Sequence, residues 1–113
     1  MSQIKVEIIL PLYYKNKEPI KKRKFIELYD KLIERFSGYS TISPLTGSWK
    51  SDRTGKLYKD EENVGLYVIC EDSKDNKDFF AHLKQRLKKE FEQEDILMFY
   101  TKIDVFDDVP PSR

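Results

Sequence analysis

The chain has 113 residues, of which 39% are hydrophobic and 36% charged, with a formal net charge of +1. This length predicts a single domain spanning residues 1–113. The balance of 21 basic and 20 acidic residues provides no long-range field for nucleic acid or an anionic membrane. One cysteine excludes an internal disulfide, and one histidine leaves no His/Cys metal cluster. Without a membrane-spanning apolar run, we expect a cytoplasmic protein that uses neither a metal nor another cofactor.

The first half of the chain predicts a strand, a helix and a second strand. Apolar residues alternate with others over residues 4–10, and Pro11 ends or interrupts this strand because it cannot donate to a ladder. Apolar residues recur at i, i+3 and i+4 from Phe25 to Phe36, which predicts the clearest helix, and Gly38 is expected to end it. The stretch "GYSTIS", residues 38–43, is interpreted as the second strand.

The second half predicts a strand, a helix and a strand after a polar segment. Residues 44–61 are polar and contain glycines, so we expect an extended central loop, with a hairpin turn at "RTGK" as the alternative. The apolar run "VGLYVICE" predicts the third strand. Apolar residues with helical spacing over residues 79–91 predict the second helix, and "DILMFYTKIDVF" predicts the last strand.

This order of elements predicts an α+β fold of the ferredoxin-like βαββαβ type, with both helices on one face of a four-stranded antiparallel sheet. In the third strand Val64, Leu66 and Val68 point to one face, whereas Tyr67 and Ile69 point to the other. The last strand is also apolar on both faces. Two helices cover one face, so the second apolar face predicts contact with further subunits.

Several charged or reactive residues have a simple structural interpretation. The basic run Lys21–Lys24 could bind nucleic acid, but a solvated helix face fits the neutral overall charge better. His82 has no recognisable catalytic partner, and Cys70 ends a buried strand, where a free cysteine usually packs. The acidic group Glu92–Asp95 is expected to be solvated at a helix-to-strand turn.

The central segment differs because aromatic and acidic residues are set in polar sequence. One interpretation is that the aromatic rings pack on one another or at a subunit interface. The other is a site for a flat, cationic or nucleotide-like ligand, since rings attract cations and carboxylates pair with ammonium groups. The aromatic residues are Tyr39, Trp49, Tyr58 and Tyr67, and the carboxylates are Asp60, Glu61 and Glu62.

The order of "GYST", "PLTGSW", an acidic pair, "VIC" and "EFEQEDILMFY" over residues 39–101 resembles the phage S-adenosylmethionine lyases. It is equally similar to their relatives beside type III CRISPR systems, which degrade the conjugate of S-adenosylmethionine and AMP. The resemblance implies a PII-like, ferredoxin-like homotrimer that holds its substrate between subunits. PII-like proteins also include non-catalytic nucleotide sensors, so a lyase and an adenine-nucleotide sensor both remain open.

The resemblance also implies site residues. The functional glutamate of the family lies at the start of the third strand. Here "DEENVGLYVIC" is one residue longer than the family pattern, so Glu62 is the first candidate for the catalytic carboxylate and Glu61 the second. The implied substrate-binding residues are Tyr39, Ser40, Thr41, Trp49 and Tyr67.

The implied reaction needs no general base. The carboxylate of the substrate attacks its own γ-carbon and expels the sulfonium as a neutral thioether. The products are methylthioadenosine, or its AMP-bearing form, and homoserine lactone. A glutamate would hold the α-ammonium, and an aromatic wall, for which Trp49 is the candidate, would lie beside the sulfonium. The AMP conjugate would also need positive charge, which Lys50, Arg53 and Lys56 could provide.

Overall fold

The computed structural model describes residues 2–106, and for residues 43, 44 and 60 it describes the backbone only. Six elements follow one another in the predicted order. They are β1 Gln3–Pro11, α1 Lys22–Phe36, β2 Ser40–Lys50, β3 Leu57–Glu71, α2 Lys74–Glu90 and β4 Leu97–Ile103. Neither helix in the described residues has the length and apolar character required to span a membrane.

The four strands form one antiparallel sheet in the order β2-β3-β1-β4. Each helix therefore connects two strands that are separated by a third: β3 lies between β1 and β2, and β1 lies between β3 and β4. This is the split βαβ arrangement. The predicted ferredoxin-like fold is confirmed.

The core lies between the two helices and one face of the sheet. Alternate residues of β1 and β3 face the helices and pair across the two central strands, such as Val6 with Val68 and Ile8 with Leu66. Cys70 is buried opposite Ile4, so its predicted packing role is confirmed. The buried helix residues that cover this face are Phe25, Leu28, Leu32, Phe80, Leu83 and Leu87.

The face of the sheet that points away from the helices, called here the open face, carries exposed apolar side chains. Ile69 is 45% exposed, Leu97 60% and Phe99 41%. The register of β1 against β3 and β4 puts these residues on the same side as Lys5 and Glu7, which form an ion pair of 3.6 Å. The prediction of apolar residues on both faces is therefore confirmed.

The central segment, residues 44–61, differs from the predicted extended loop. The pairing of β1 with β3 ends at Pro11 and Asn63, but β2 and β3 continue to pair with one another as far as Lys50 and Leu57. Residues 46–62 thus form a two-stranded ribbon that extends past the end of β1, called here the hairpin arm. Its turn spans residues 51–56, which confirms the hairpin alternative.

The periodicity of the sequence did not predict the two strands of the arm, and the reason is physical. Register shifts occur between Ile42 and Leu45 and between Gly47 and Trp49. Each shift interrupts the two-residue alternation that identifies a strand. Most of the described side chains of the arm are also exposed, so neither face is marked by a run of apolar residues.

Helix α1 ends one residue earlier than predicted. Ser37, not Gly38, has the left-handed conformation at the C-cap, with φ of 64°, and its backbone N–H donates to the Ile33 carbonyl at 2.8 Å. A non-glycine residue has a steric cost in this conformation because its Cβ approaches the carbonyl oxygen.

Candidate functional site

An open cleft of about 370 Å³ runs along the hairpin arm, from its base at Glu62 to Lys56 in its turn, beside the loop that connects β1 to α1. Three tyrosines, four lysines and two glutamates contribute to its lining. The cleft therefore combines aromatic faces with charges of both signs. The lining residues are Tyr13, Tyr14, Lys15, Lys17, Lys56, Leu57, Tyr58, Lys59, Glu61 and Glu62.

Both candidate catalytic residues, Glu61 and Glu62, are among the residues of strand β3 that line this cleft. The backbone carbonyl of Glu62 accepts from the Leu12 N–H at 3.1 Å, which ties the start of the arm to the end of β1. Asn63 Nδ2 donates to the Glu61 carbonyl at 2.8 Å. Successive residues of a strand point to opposite faces. Glu62 therefore lies on the same side of β3 as Val64 and Leu66, which face the helices, and Glu61 lies on the side of the open face. Substituting each one therefore tests a different side of the arm.

Trp49 packs on a cross-strand partner. It lies opposite Tyr58 in the register, and the two rings stack with centroids 4.5 Å apart and planes 11° apart. The Lys15 ammonium lies 5.7 Å from the centroid of Trp49 and 5.8 Å from that of Tyr58. Lys56 approaches the Tyr58 ring at 5.1 Å. Tyr58 lines the cleft directly, with Trp49 stacked on it.

The remaining predicted binding residues lie elsewhere on the sheet. Tyr39 stacks on Tyr29 of α1 at 4.5 Å, and burial, followed by the proximity of Tyr39, raises the pKa of Tyr29. Ser40 lies directly opposite Tyr67, whose ring contacts the Lys5 ammonium at 4.5 Å. Thr41, the next residue, is exposed.

One chain does not bring all of the predicted residues together. At about 3.3 Å per strand residue, Tyr67 lies roughly 16 Å along β3 from Glu62 and roughly 30 Å from Tyr58, the partner of Trp49. The predicted residues thus form two groups, one at the arm and one at the opposite end of β3. Trp49, Glu61 and Glu62 belong to the first group, and Tyr39, Ser40, Thr41 and Tyr67 to the second.

Sequence reasoning missed Glu94, which was expected to be solvated. Its side chain is 18% exposed and contacts the turn of the arm. Oε2 accepts from the Ser51 hydroxyl at 2.7 Å, and Oε1 accepts from the Arg53 backbone N–H at 3.1 Å. Lys15 Nζ lies 3.8 Å from Oε2. The Ser51 hydrogen bond is the largest cause that lowers the pKa of Glu94, followed by the Arg53 N–H and the Lys15 charge.

The basic run at the start of α1 is only partly a solvated face. Lys21, Lys22 and Arg23 are exposed as predicted, but Lys24 is not. Lys24 Nζ donates to the Tyr14 hydroxyl at 2.7 Å and to the Glu90 carbonyl at the end of α2. Lys24 therefore fixes a tyrosine of the cleft. Among the side chains that the structure describes, no group of three or more His, Cys, Asp or Glu is arranged to hold a metal ion.

The four-stranded sheet, the two helices and the cleft along an extended hairpin define a ferredoxin-like α+β protein with a ligand-sized cleft. No family model matches the chain, and no curated protein matches it.

Two solved structures are similar to the chain over most of its length. A phage SAM lyase in complex with S-methyl-5'-thioadenosine superposes with a TM-score of 0.69 at 18% identity, covering 88% of this chain and 81% of the lyase. A phage SAM lyase in the apo state superposes with a TM-score of 0.63 at 18% identity, covering 89% and 81%. The chain thus has the fold of a phage SAM lyase, which confirms the predicted resemblance at the level of the fold.

Proposed function

We propose that the chain is a lyase that cleaves S-adenosylmethionine, or its AMP conjugate, to methylthioadenosine, or the AMP form, and homoserine lactone. The observation that carries this proposal is the similarity over 88% of the chain to a phage SAM lyase in complex with S-methyl-5'-thioadenosine. The cleft supports it because Glu61, Glu62 and Tyr58 line it, and Trp49 stacks on the Tyr58 ring near the tip of the arm.

In the proposed reaction the protein moves no proton. It holds the methionyl chain curled so that the substrate carboxylate reaches the γ-carbon, and it excludes water while opposite charges neutralise one another. Glu62, or Glu61 as the second candidate, pairs with the α-ammonium. The Tyr58 ring with Trp49 behind it provides an electron-rich face for the sulfonium. No side chain has to act as nucleophile or base.

We further propose that the site is completed by a second chain in a cytoplasmic homotrimer. Tyr67 lies roughly 16 Å along β3 from Glu62 and roughly 30 Å from Tyr58, the partner of Trp49, so one small ligand in one chain does not contact all of the predicted residues. The open face exposes Ile69, Leu97 and Phe99, so association through this face would bury apolar surface. Packing chains through their open faces would let the Tyr67 group of one chain approach the arm of its neighbour.

The charge of the cleft favours the AMP conjugate over free S-adenosylmethionine. Four lysines line the cleft against two glutamates. A phosphate group is a better partner for this excess of ammonium groups than the adenosine of the free cofactor. Of the three basic residues that the sequence suggested for this role (Lys50, Arg53 and Lys56), Lys56 is among the residues that line the cleft. The other three lysines of the lining, Lys15, Lys17 and Lys59, were not predicted from the sequence.

The test is chromatography of both substrates after incubation with the protein, with detection of homoserine lactone and the methylthioadenosine species. We expect Glu62→Gln to lower turnover by about 30- to several-thousand-fold, since it removes the charge that pairs with the substrate ammonium. Glu71→Gln, at the other end of β3, is the matched control and should retain activity.

Three results would change the proposal. Wild-type protein that binds either substrate tightly without turnover would identify the alternative function, a PII-like adenine-nucleotide sensor. If Glu61→Gln is inactive and Glu62→Gln is active, the catalytic role belongs to Glu61 instead of Glu62. Full activity of both variants would refute the carboxylate mechanism.

A further inference from the structure

Three separate segments of the chain meet at the carboxylate of Glu94. The segment between α2 and β4 provides Glu94 itself. The turn of the hairpin arm provides the Ser51 hydroxyl at 2.7 Å and the Arg53 N–H at 3.1 Å. The loop between β1 and α1 provides the Lys15 ammonium at 3.8 Å. We call these three contacts the Glu94 latch.

The Ser51 side of the latch also organises the turn. Ser51 is 2% exposed. Its hydroxyl oxygen accepts a hydrogen bond from the Thr54 N–H at 3.1 Å, and its O–H donates a hydrogen bond to Glu94. The Ser51 N–H donates to the Lys56 carbonyl at 2.9 Å. The turn is therefore shaped by the same hydroxyl that ties it to the α2–β4 segment.

The Lys15 side of the latch reaches the cleft. Lys15 is a lining residue, and its ammonium lies within 6 Å of the rings of both Trp49 and Tyr58. One end of the latch thus holds the tip of the arm, and the other end holds a cation beside the aromatic pair. Glu94 itself does not line the described cleft, so any effect on a ligand passes through these neighbours.

The arm needs such a contact because of its architecture. Beyond the pair of Pro11 and Asn63 the arm is a two-stranded ribbon in the part of the chain that the structure describes. An isolated two-stranded hairpin is marginally stable in water. The direction of the arm relative to the sheet therefore depends on contacts at its tip, and the latch provides charged contacts there.

We propose that Glu94 is a positioning residue that fixes the hairpin arm and Lys15 at the cleft, so that the Trp49–Tyr58 pair and the carboxylates of β3 keep one arrangement. The effect on catalysis rests on the proposed lyase function. The effect on the arm does not, because Trp49 is the only tryptophan of the chain and reports on the arm whatever the ligand.

The first experiment measures quenching of Trp49 fluorescence by acrylamide in the full-length protein. We expect Glu94→Ala to increase quenching, because each charged hydrogen bond lost shifts the ratio of held to released arm by about tenfold. Ser51→Ala should do the same from the opposite side. Adding Ser51→Ala to Glu94→Ala should have little further effect, since Glu94→Ala already removes the Ser51 contact, whereas Ser51→Ala alone leaves the Arg53 and Lys15 contacts and should have the smaller effect. Glu92→Gln, an exposed neighbour in the same segment, is the control.

Circular dichroism separates release of the arm from unfolding, because the core lies between the sheet and the helices. Increased quenching with an unchanged far-ultraviolet spectrum supports the proposal. Quenching by acrylamide that is equal in the wild type, Glu94→Ala and Ser51→Ala refutes it. Should Glu94→Ala fail to fold, Ser51→Ala decides by the same criterion.

The second experiment measures the kinetics of cleavage of S-adenosylmethionine and of its AMP conjugate. A positioning role predicts that Glu94→Gln raises KM by about tenfold with a smaller change in kcat, because fewer molecules hold the arm in the binding arrangement. An unchanged KM refutes the positioning role in catalysis. If the wild type cleaves neither substrate, the lyase proposal fails, while the quenching result still decides whether Glu94 holds the arm.

Discussion

Replacing Leu97 by lysine should dissociate the proposed oligomer without unfolding the chain. Leu97 lies on the open face and is 60% exposed in the single chain, so a lysine there is tolerated in the isolated subunit. Completing the burial of a leucine that is already 40% covered contributes about 1–2 kcal/mol per subunit. A buried polar group without a partner costs about 1–3 kcal/mol more. Together these terms weaken association by about 30- to several-thousand-fold.

Light scattering and sedimentation at micromolar concentration measure the outcome. We expect an oligomer for the wild type, a monomer of 13.5 kDa for Leu97→Lys, and an oligomer for the control Ile26→Lys, which changes a 53% exposed isoleucine on α1. Activity should disappear together with the oligomer, because the Tyr67 group and the arm then lie apart. A monomeric wild type, or a Leu97→Lys variant that remains oligomeric, would refute the assignment of the open face as the interface.

Two further changes test the fold and the latch. Ser37→Gly should stabilise the chain by about 0.5–1 kcal/mol, because glycine adopts the left-handed C-cap without a Cβ penalty; a melting curve compared with Ser37→Ala measures it. A hydrogen bond from Ser51 is the largest cause that lowers the pKa of Glu94 below its ordinary value of 4.5, so the latch is complete at neutral pH and is lost as pH falls through that lowered pKa. Trp49 quenching should rise in acid for the wild type and not for Glu94→Gln.

The sequence was sufficient to predict the helices and strands that have one buried face. Ile4, Val6 and Ile8 alternate because the helices cover every second residue of β1, and the stripe from Phe25 to Leu32 has the helical period for the same reason. These elements fix the ferredoxin-like order. The arm carries no such pattern, since solvent reaches both of its faces and two register shifts interrupt the alternation.

The site was harder to predict from the sequence because it is formed by segments that are distant along the chain. The resemblance identified Glu61 and Glu62, which line the cleft, but nothing in the sequence distinguished Glu94 from the neighbouring acidic residues. Glu94 is more than 40 residues from Ser51, and the contact exists only because the fold brings the turn of the arm to the α2–β4 segment.

The geometry of the arm determines where the residues of the proposed ligand site lie. The aromatic pair and the two glutamates lie on a ribbon that leaves the four-stranded sheet. Such a ribbon is free to move unless its tip is fixed, which Glu94 and Lys15 achieve within one chain. Tyr67 lies roughly 30 Å along β3 from Tyr58, which is why the proposed site includes a neighbouring chain. If the proposed trimer and lyase activity hold, a substitution on the open face should impair assembly and catalysis while leaving folding intact.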